Sequence, residues 1–420
     1  MPPQENIRSS QGVIGPTKVM HIINDLSIGG AEMMLYKLLS ETDRARFSPV
    51  VISLMSRTPL RERIESLGIP VHTAMMRPGW PTPMGLWRLV RLIQRLKPDL
   101  ITGWMYHSCF AAHLANFFFG SRAPILWSIH YSISSLEREK TLTAATIKAC
   151  ALLSKLPAQI VFVSRKSQSH HGPLGYSLQK SCVIPNGIDE TEFVPSIEAR
   201  RSVRSELGLP GDAFLIGLMG RYHPAKDHGN FLHAAALLSK VHPRTHFLLI
   251  GRNVDGENRE LCQSIQQLGL ASRTHLLGER HDMPRLAAAL DVFSLSSGYG
   301  ESFPNVIGEA MACEVPCVVT DVGDTAWMVG NTGRVVPPRD PRALAEGWQE
   351  LINLGPERRR ALGREARARV VDRFALKAVA GRYMSLYEKV LAGAKPEGFT
   401  SPAPGVLTTL STTFEETGAQ

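Results

Sequence analysis

Strand and helix signals alternate along this chain, and the alternation runs twice. "KVMHIINDL" (18–26) is an apolar run, "SIGG" a turn, "AEMMLYKLLSE" a helical stretch, and "SPVVISL" (48–54) a second run. Further strands are read as ending at His107 ("DLITGWMYH") and His130 ("PILWSIH"), and "AQIVFVS" (158–164) follows a helical segment at 141–154. The pattern restarts at "AFLIGLMG" (213–220) and continues through "THFLLIG" (245–251), "THLLG" (274–278), "LDVFSLSS" (290–297) and "VPCVVTD" (315–321). Strands separated by helices pair in parallel, so each series predicts a doubly wound α/β domain with ligand loops at the carboxyl ends of its strands. At 420 residues, 44% of them hydrophobic, the chain supports two cores facing a central cleft. The turn-rich stretch "VIPNGIDETEFVPS" (183–196) is the expected linker.

The stretch "GYGESFPNVIGEA" (298–310) follows one of these strands and carries two carboxylates. Gly298 and Gly300 free the turn, Ser302 suits an N-cap, and Pro304 suits a first helical turn, so a helix is expected from Phe303 or Pro304. At about 100° per residue, Val306, Ile307, Ala310 and Met311 share one side while Asn305 and Glu309 share another. The N–H groups of 303–306, at the positive end of the helix dipole, form an anion site. A phosphate beside Glu309 fits a ligand that also offers hydroxyls, as a nucleotide sugar does. The plainer reading makes Glu301 a cap-side charge and Glu309 a solvated helix residue.

"GRYHPAKD" (220–227) directly follows the strand that opens the second series, which places Arg221 and Lys226 at the cleft. Two fixed cations beside a helix N-terminus hold a diphosphate and neutralise charge as it departs. The sequence has neither an Asp-x-Asp pair nor the phosphate loop GxxxxGK[ST], so the cations are expected to stand in for a metal. A dinucleotide-dependent oxidoreductase needs GxGxxG after its first strand, and "SIGGAE" does not supply it.

Taken in order, "GGAE" (29–32), "PNGID" (185–189), "GRYHPAKD", "LDVFSLSS" and the spacing of Glu301 and Glu309 resemble the family 4 retaining glycosyltransferases, including bacterial enzymes of cell-surface polysaccharide assembly. The resemblance covers roughly 17–392 and implies the GT-B fold, two Rossmann-like domains facing a cleft. It implies an N-terminal acceptor-side domain at 17–190, a nucleotide-sugar domain at 191–373, and a last helix, about 374–392, that crosses back to the first. By the same resemblance Arg221 and Lys226 grip the donor diphosphate, Glu301 contacts the donor sugar, Glu309 bonds the ribose, and backbone around Ser302, Phe303, Pro304, Asn305 and Val306 supports the phosphate or sugar. Gly29 and Gly30 allow close approach to the diphosphate, and His130 stands beside the reacting carbon. The resemblance implies a UDP- or GDP-linked sugar as co-substrate, with no further cofactor, no metal and no nucleic acid expected. Asp324 and Trp327 depart from the family pattern, which often has a second glycine and an acidic residue there. A helical separation of eight residues spans about 12 Å, against roughly 5 Å between the carboxyls of a retaining hydrolase, so double displacement by the two glutamates is disfavoured. Front-face transfer, in which the leaving diphosphate takes the acceptor's proton, is implied instead.

Charge is uneven. The formal net charge is +9, and residues 1–190 hold 21 Lys and Arg against 12 Asp and Glu, while the remainder is balanced. In "PMGLWRLVRLIQRLKPD" (83–99), Leu86, Leu89, Val90, Ile93 and Leu96 form one face and Arg88, Arg91 and Arg95 the other. Such a helix packs its apolar side, and its arginines are expected to attract an anionic membrane or a lipid-diphosphate acceptor. The six cysteines form no framework, no apolar run is long enough to span a bilayer, and a cytoplasmic protein, peripheral at the membrane, is expected. Residues 1–16 read as a flexible extension and 395–420 as a disordered tail. His107, His170 and His171 read as surface or structural groups. A soluble sugar-metabolism transferase and an inactive sugar-nucleotide-binding protein remain as alternatives.

Overall fold

The computed structural model describes residues 15–56, 59–76, 82–119, 123–133 and 135–393. The expected tail at 395–420, and all but the last two residues of the expected N-terminal extension, lie outside them. The first half holds β1 (Thr17–Ile23), β2 (Phe47–Ser53), β3 (Val71–Thr73), β4 (Leu100–Trp104), β5 (Ile125–Ile129), β6 (Gln159–Phe162) and β7 (Ser181–Val183). Its helices are α1 (Gly30–Ser40), α2 (Arg61–Glu65), α3 (Pro83–Leu96), α4 (Met105–Phe119), α5 (Thr141–Leu153) and α6 (Arg165–His171). These strands form one seven-stranded parallel sheet in the order β3-β2-β1-β4-β5-β6-β7. Residues 19–23 of β1 are all buried, as a central strand covered by helices on both faces requires.

The second half holds β8 (Phe214–Met219), β9 (Thr245–Ile250), β10 (Thr274–Leu276), β11 (Val292–Leu295), β12 (Cys317–Thr320) and β13 (Arg334–Val336). Its helices are α7 (Ile197–Glu206), α8 (His228–Val241), α9 (Arg259–Gln267), α10 (Met283–Ala288), α11 (Asn305–Ala312), α12 (Thr325–Val329), α13 (Pro341–Asn353), α14 (Gly355–Arg373) and α15 (Leu376–Leu391). The sheet is parallel, six-stranded, in the order β10-β9-β8-β11-β12-β13. Both halves are Rossmann-like domains. Helix α15 returns to the first: Leu376, Val379, Ala380, Tyr383 and Tyr387 share a core with Val19, Met34 and Trp104.

The chain passes between the domains twice, and the two passages are fastened together. Ile188 N–H donates to Phe374 O and Leu376 N–H donates to Ile188 O, both at 2.8 Å. The passages run so close that a side chain at Gly187 would put its Cβ 2.9 Å from Leu376 Cα. Among the described residues no helix is long and apolar enough to cross a membrane.

Two expectations are corrected. The strand expected to end at His107 stops at Trp104, and Met105, at φ 67°, turns the chain straight into α4. Tyr106, Cys109, Ala112 and Ala115 are buried at helical spacing, a period hidden by the apolar run before it. The helix expected from Phe303 or Pro304 begins at Asn305, with Pro304 as a cap that supplies no side-chain bond. Ser302 is therefore not the N-cap; its hydroxyl lies 2.9 Å from Ser164 Oγ in the other domain.

Candidate functional site

Loops leaving β1, β5, β8 and β11 carry most of the expected site residues, because parallel strands present all their carboxyl ends on one edge. After β8 comes Arg221, exposed and without an ion pair among the described residues, and then Lys226. Lys226 Nζ donates to Glu301 Oε1 at 2.6 Å, and Ser297 Oγ donates to the same oxygen at 2.6 Å. Glu301 is only 9% exposed, so this charge is held by two donors inside the cleft wall. Gly323, at φ 69°, fixes the loop from behind: a Cβ there would lie 2.5 Å from Glu301 O.

Glu301 and Glu309, read together from the sequence, part company in space. Glu301 faces Lys226 of its own domain, whereas Glu309 Oε1 lies 3.8 Å from Lys37 Nζ on α1 of the other. Burial raises the Glu309 carboxyl, with Lys37 opposing the shift. At the start of α11, Ile307 N–H is taken by Pro304 O at 3.1 Å, which leaves Asn305 and Val306 as the first-turn donors without an acceptor among the described residues. The Phe303 side chain is core, packed edge-on to Trp327 and Phe374, so only its backbone faces the site.

His130 follows β5 and has both ring nitrogens engaged. Asn186 Oδ1 can only accept, so His130 Nδ1–H donates to it at 3.0 Å, and Nε2 is left to accept from Ser128 Oγ at 2.9 Å. Tyr383 O–H lies 3.2 Å from Ser128 Oγ, and Asn186 Nδ2 donates to Asn305 Oδ1 at 2.8 Å. One line of hydrogen bonds thus runs from α15 through β5 and the first interdomain passage to the head of α11. Burial lowers His130 to about 4, with the Asn186 bond opposing, and the neutral ring stacks on Trp104 at 4.9 Å.

Gly29 caps α1 in extended conformation, where a Cβ would meet Glu32 Oε2, while Gly30 has open space beside it. Burial raises Glu32, the acidic residue in this first turn. Arg88, Arg91 and Arg95 all lie on α3. They stay exposed on the outer face of α3, beside Thr73 and Trp87.

Sequence reasoning missed Lys37, Ser128 and Ser164, and quoted Asn186 within "PNGID" without a role for it; each has a partner far away in sequence, Tyr383 in the case of Ser128, that no local pattern encodes. Asp324, noted only as a departure, accepts the N–H groups of Arg165 and Lys166 at 2.7 and 2.9 Å. The carboxylate caps α6 of the opposite domain and ties the domains together.

Two family models match. The model for glycosyl transferases group 1 matches residues 199–369, and the model for glycosyltransferase family 4 matches residues 28–192. Among curated relatives, an Escherichia coli UDP-Gal:α-D-GlcNAc-diphosphoundecaprenol α-1,3-galactosyltransferase is 34% identical over 156 residues, 36% of this chain and 39% of that protein. The match thus spans well under two thirds of that relative's length. The Bacillus subtilis (strain 168) putative glycosyltransferase EpsF is 26% identical over 318 residues, 72% of this chain and 79% of that one. Anabaena HepE, solved in complex with UDP, superposes with a TM-score of 0.79 at 24% identity, covering 89% of this chain and 100% of that one. Together the two models cover both halves of the described chain, which belongs to family 4 of the glycosyltransferases and has the GT-B fold.

Proposed function

We propose that the protein transfers a sugar, with retention of configuration and without a metal, from a nucleotide-diphosphate sugar to a glycan or lipid-linked saccharide of cell-surface polysaccharide assembly. The observation that carries this is the Lys226–Glu301 pair at 2.6 Å, set in the loops after β8 and β11, with Arg221 nearby in sequence, without an ion pair among the described residues, and α11 following. Glu301 neutralises Lys226 in this pair. A bound diphosphate draws Lys226 and Arg221 to itself and frees Glu301 to accept from sugar hydroxyls.

In the reaction the bond from the anomeric carbon to the diphosphate oxygen breaks, and its electron pair leaves with the diphosphate. The acceptor oxygen bonds to the same face of that carbon and gives its proton to the departing diphosphate. Arg221, Lys226 and the N–H groups of Asn305 and Val306 stabilise the growing negative charge. Glu309 takes the ribose hydroxyls, Gly29 and Gly30 admit the diphosphate, and neutral His130, held by Ser128 and Asn186, stands beside the sugar. The UDP and UDP-glucose complexes of HepE support a uridine donor, and the undecaprenol-linked acceptor in the E. coli relative's name supports a lipid-linked one. The proposed setting is the cytoplasm, at the inner face of the membrane.

Titration with UDP- and GDP-sugars, then NMR of the product anomer, tests this reading. Saturable binding of one donor series and a product anomer matching the donor are expected. Failure to bind any of these donors overturns it, and an inverted product removes retention. EDTA is expected to leave turnover unchanged; loss restored by Mg²⁺ or Mn²⁺ would transfer the charge-neutralising role from the cation pair to a metal.

A further inference from the structure

A cavity of about 250 Å³ lies in the first domain, outside the contacts described so far. Its floor is made by Asn24, Met55 and Met76, which follow β1, β2 and β3, so it opens on the edge of the sheet that also carries His130. Its walls come from three helices, with Leu86 on α3, Phe110 and Leu114 on α4, and Leu142 on α5. Asn24, His107 and Thr146 are the polar side chains in a lining otherwise apolar. Burial lowers His107 and keeps it neutral. With most of its lining apolar, the cavity favours hydrocarbon over water.

The surface beside the cavity has matching chemistry. Leu86 is followed on α3 by Trp87, 53% exposed, and by Arg88, the first of the three outward arginines. Leu114 is followed one turn later on α4 by Phe117, 82% exposed. Tryptophan and arginine beside one another, with Arg91 over the Trp87 ring at 5.5 Å, suit a boundary where hydrocarbon meets phosphate. A saccharide alone would leave the apolar cavity itself unused.

We propose that this cavity is an acceptor subsite holding the hydrocarbon chain of a prenyl-phosphate-linked saccharide, so that the sugar end reaches the cleft from the first domain. This rests on the donor reading above for its chemistry but not for its test. The probe is farnesyl phosphate, titrated below its critical micelle concentration against wild type, Ala145→Trp and Ala149→Phe. Ala145 lines the cavity yet is exposed, so a tryptophan there covers the mouth without repacking a core; Ala149 is half-buried and fills it from the side. UDP titration of all three proteins reports the fold and the donor site separately.

The expected result is saturable binding to wild type, at least tenfold weaker in both variants, with UDP affinity alike in all three and no displacement by inorganic phosphate. Equal affinity in wild type and variants overturns the subsite. So does competition between farnesyl phosphate and UDP, which would put the chain in the donor cleft. A wild type that binds UDP but not farnesyl phosphate removes the subsite and leaves the donor reading standing. One that binds farnesyl phosphate in the expected pattern but not UDP does the reverse.

Discussion

The two domains share a sheet architecture and differ in what they bring to the cleft. The second presents charge on short tethers, Arg221, Lys226 and Glu301, with α11 behind them. The first presents a neutral imidazole stacked on Trp104, a glycine pair and an apolar cavity. Yet the first half of the sequence carries the whole positive excess. Its conspicuous arginines, on α3, are exposed to solvent. Net charge therefore says where a domain meets its surroundings, and individual paired charges say where chemistry is placed.

The largest expected effect separates these two kinds of charge. Lys226→Ala should lower kcat by about a hundred- to a thousandfold, about 3–4 kcal/mol of transition-state stabilisation, as for loss of one preorganised donor. Wild-type turnover in a folded variant would dissolve the contrast between the domains.

A second test turns on histidines. Burial holds His130 and His171 at about 4 and His21 at about 3 in the first domain, and His228 at about 4 in the second. The unfolded chain binds their protons near 6.5, so stability is full above that pH and is lost as pH falls toward 4. Each contributes about 1.4 kcal/mol per pH unit within that window. Denaturation at pH 7 and 5, followed by amide exchange, should show the first domain losing more; equal loss in both domains would count against it.

Smaller effects probe the join and the outer face. Asp324→Ala should cost about 1–3 kcal/mol in urea denaturation, since it strips the acceptor from two N–H groups of α6. An unchanged midpoint would mean that the tie contributes nothing. Replacing Arg88, Arg91 or Arg95 singly by Gln should weaken binding to anionic vesicles by about 1 kcal/mol each at low salt, and less at high salt. Co-sedimentation indifferent to all three would reduce the arginine face to a solvated surface.

The strands were legible because buried parallel strands are short apolar runs between turn formers, and "AFLIGLMG" and "VPCVVTD" resolve into β8 and β12. At "DLITGWMYH" the same signal misleads, because an apolar strand passes without a loop into an apolar helix. Arg221, Lys226 and Glu301 could be placed at the carboxyl ends of the strands because each follows one. The partners that hold the domains together could not: Lys37 and Glu309, or Ser164 and Ser302, meet only once two sheets are folded and facing. Glu309 illustrates the limit, since its place on the polar side of α11 was readable and its pairing with α1 was not.

The doubled passage at Ile188 and Leu376 has a mechanical consequence. Two separate tethers would let the halves slide, splay or twist independently, each motion with its own entropy. Two tethers bonded to each other behave as an axle, and turning about their common line is the least costly relative displacement. Lys37 and Glu309 lie beside that axle, because Gly308 abuts Ile188 and Gly187 N–H meets Met34 Sδ on α1, so their 3.8 Å contact moves little when the domains turn. Groups farther out would swing through a wider arc, and the axle would keep the two facing edges aligned as they turn.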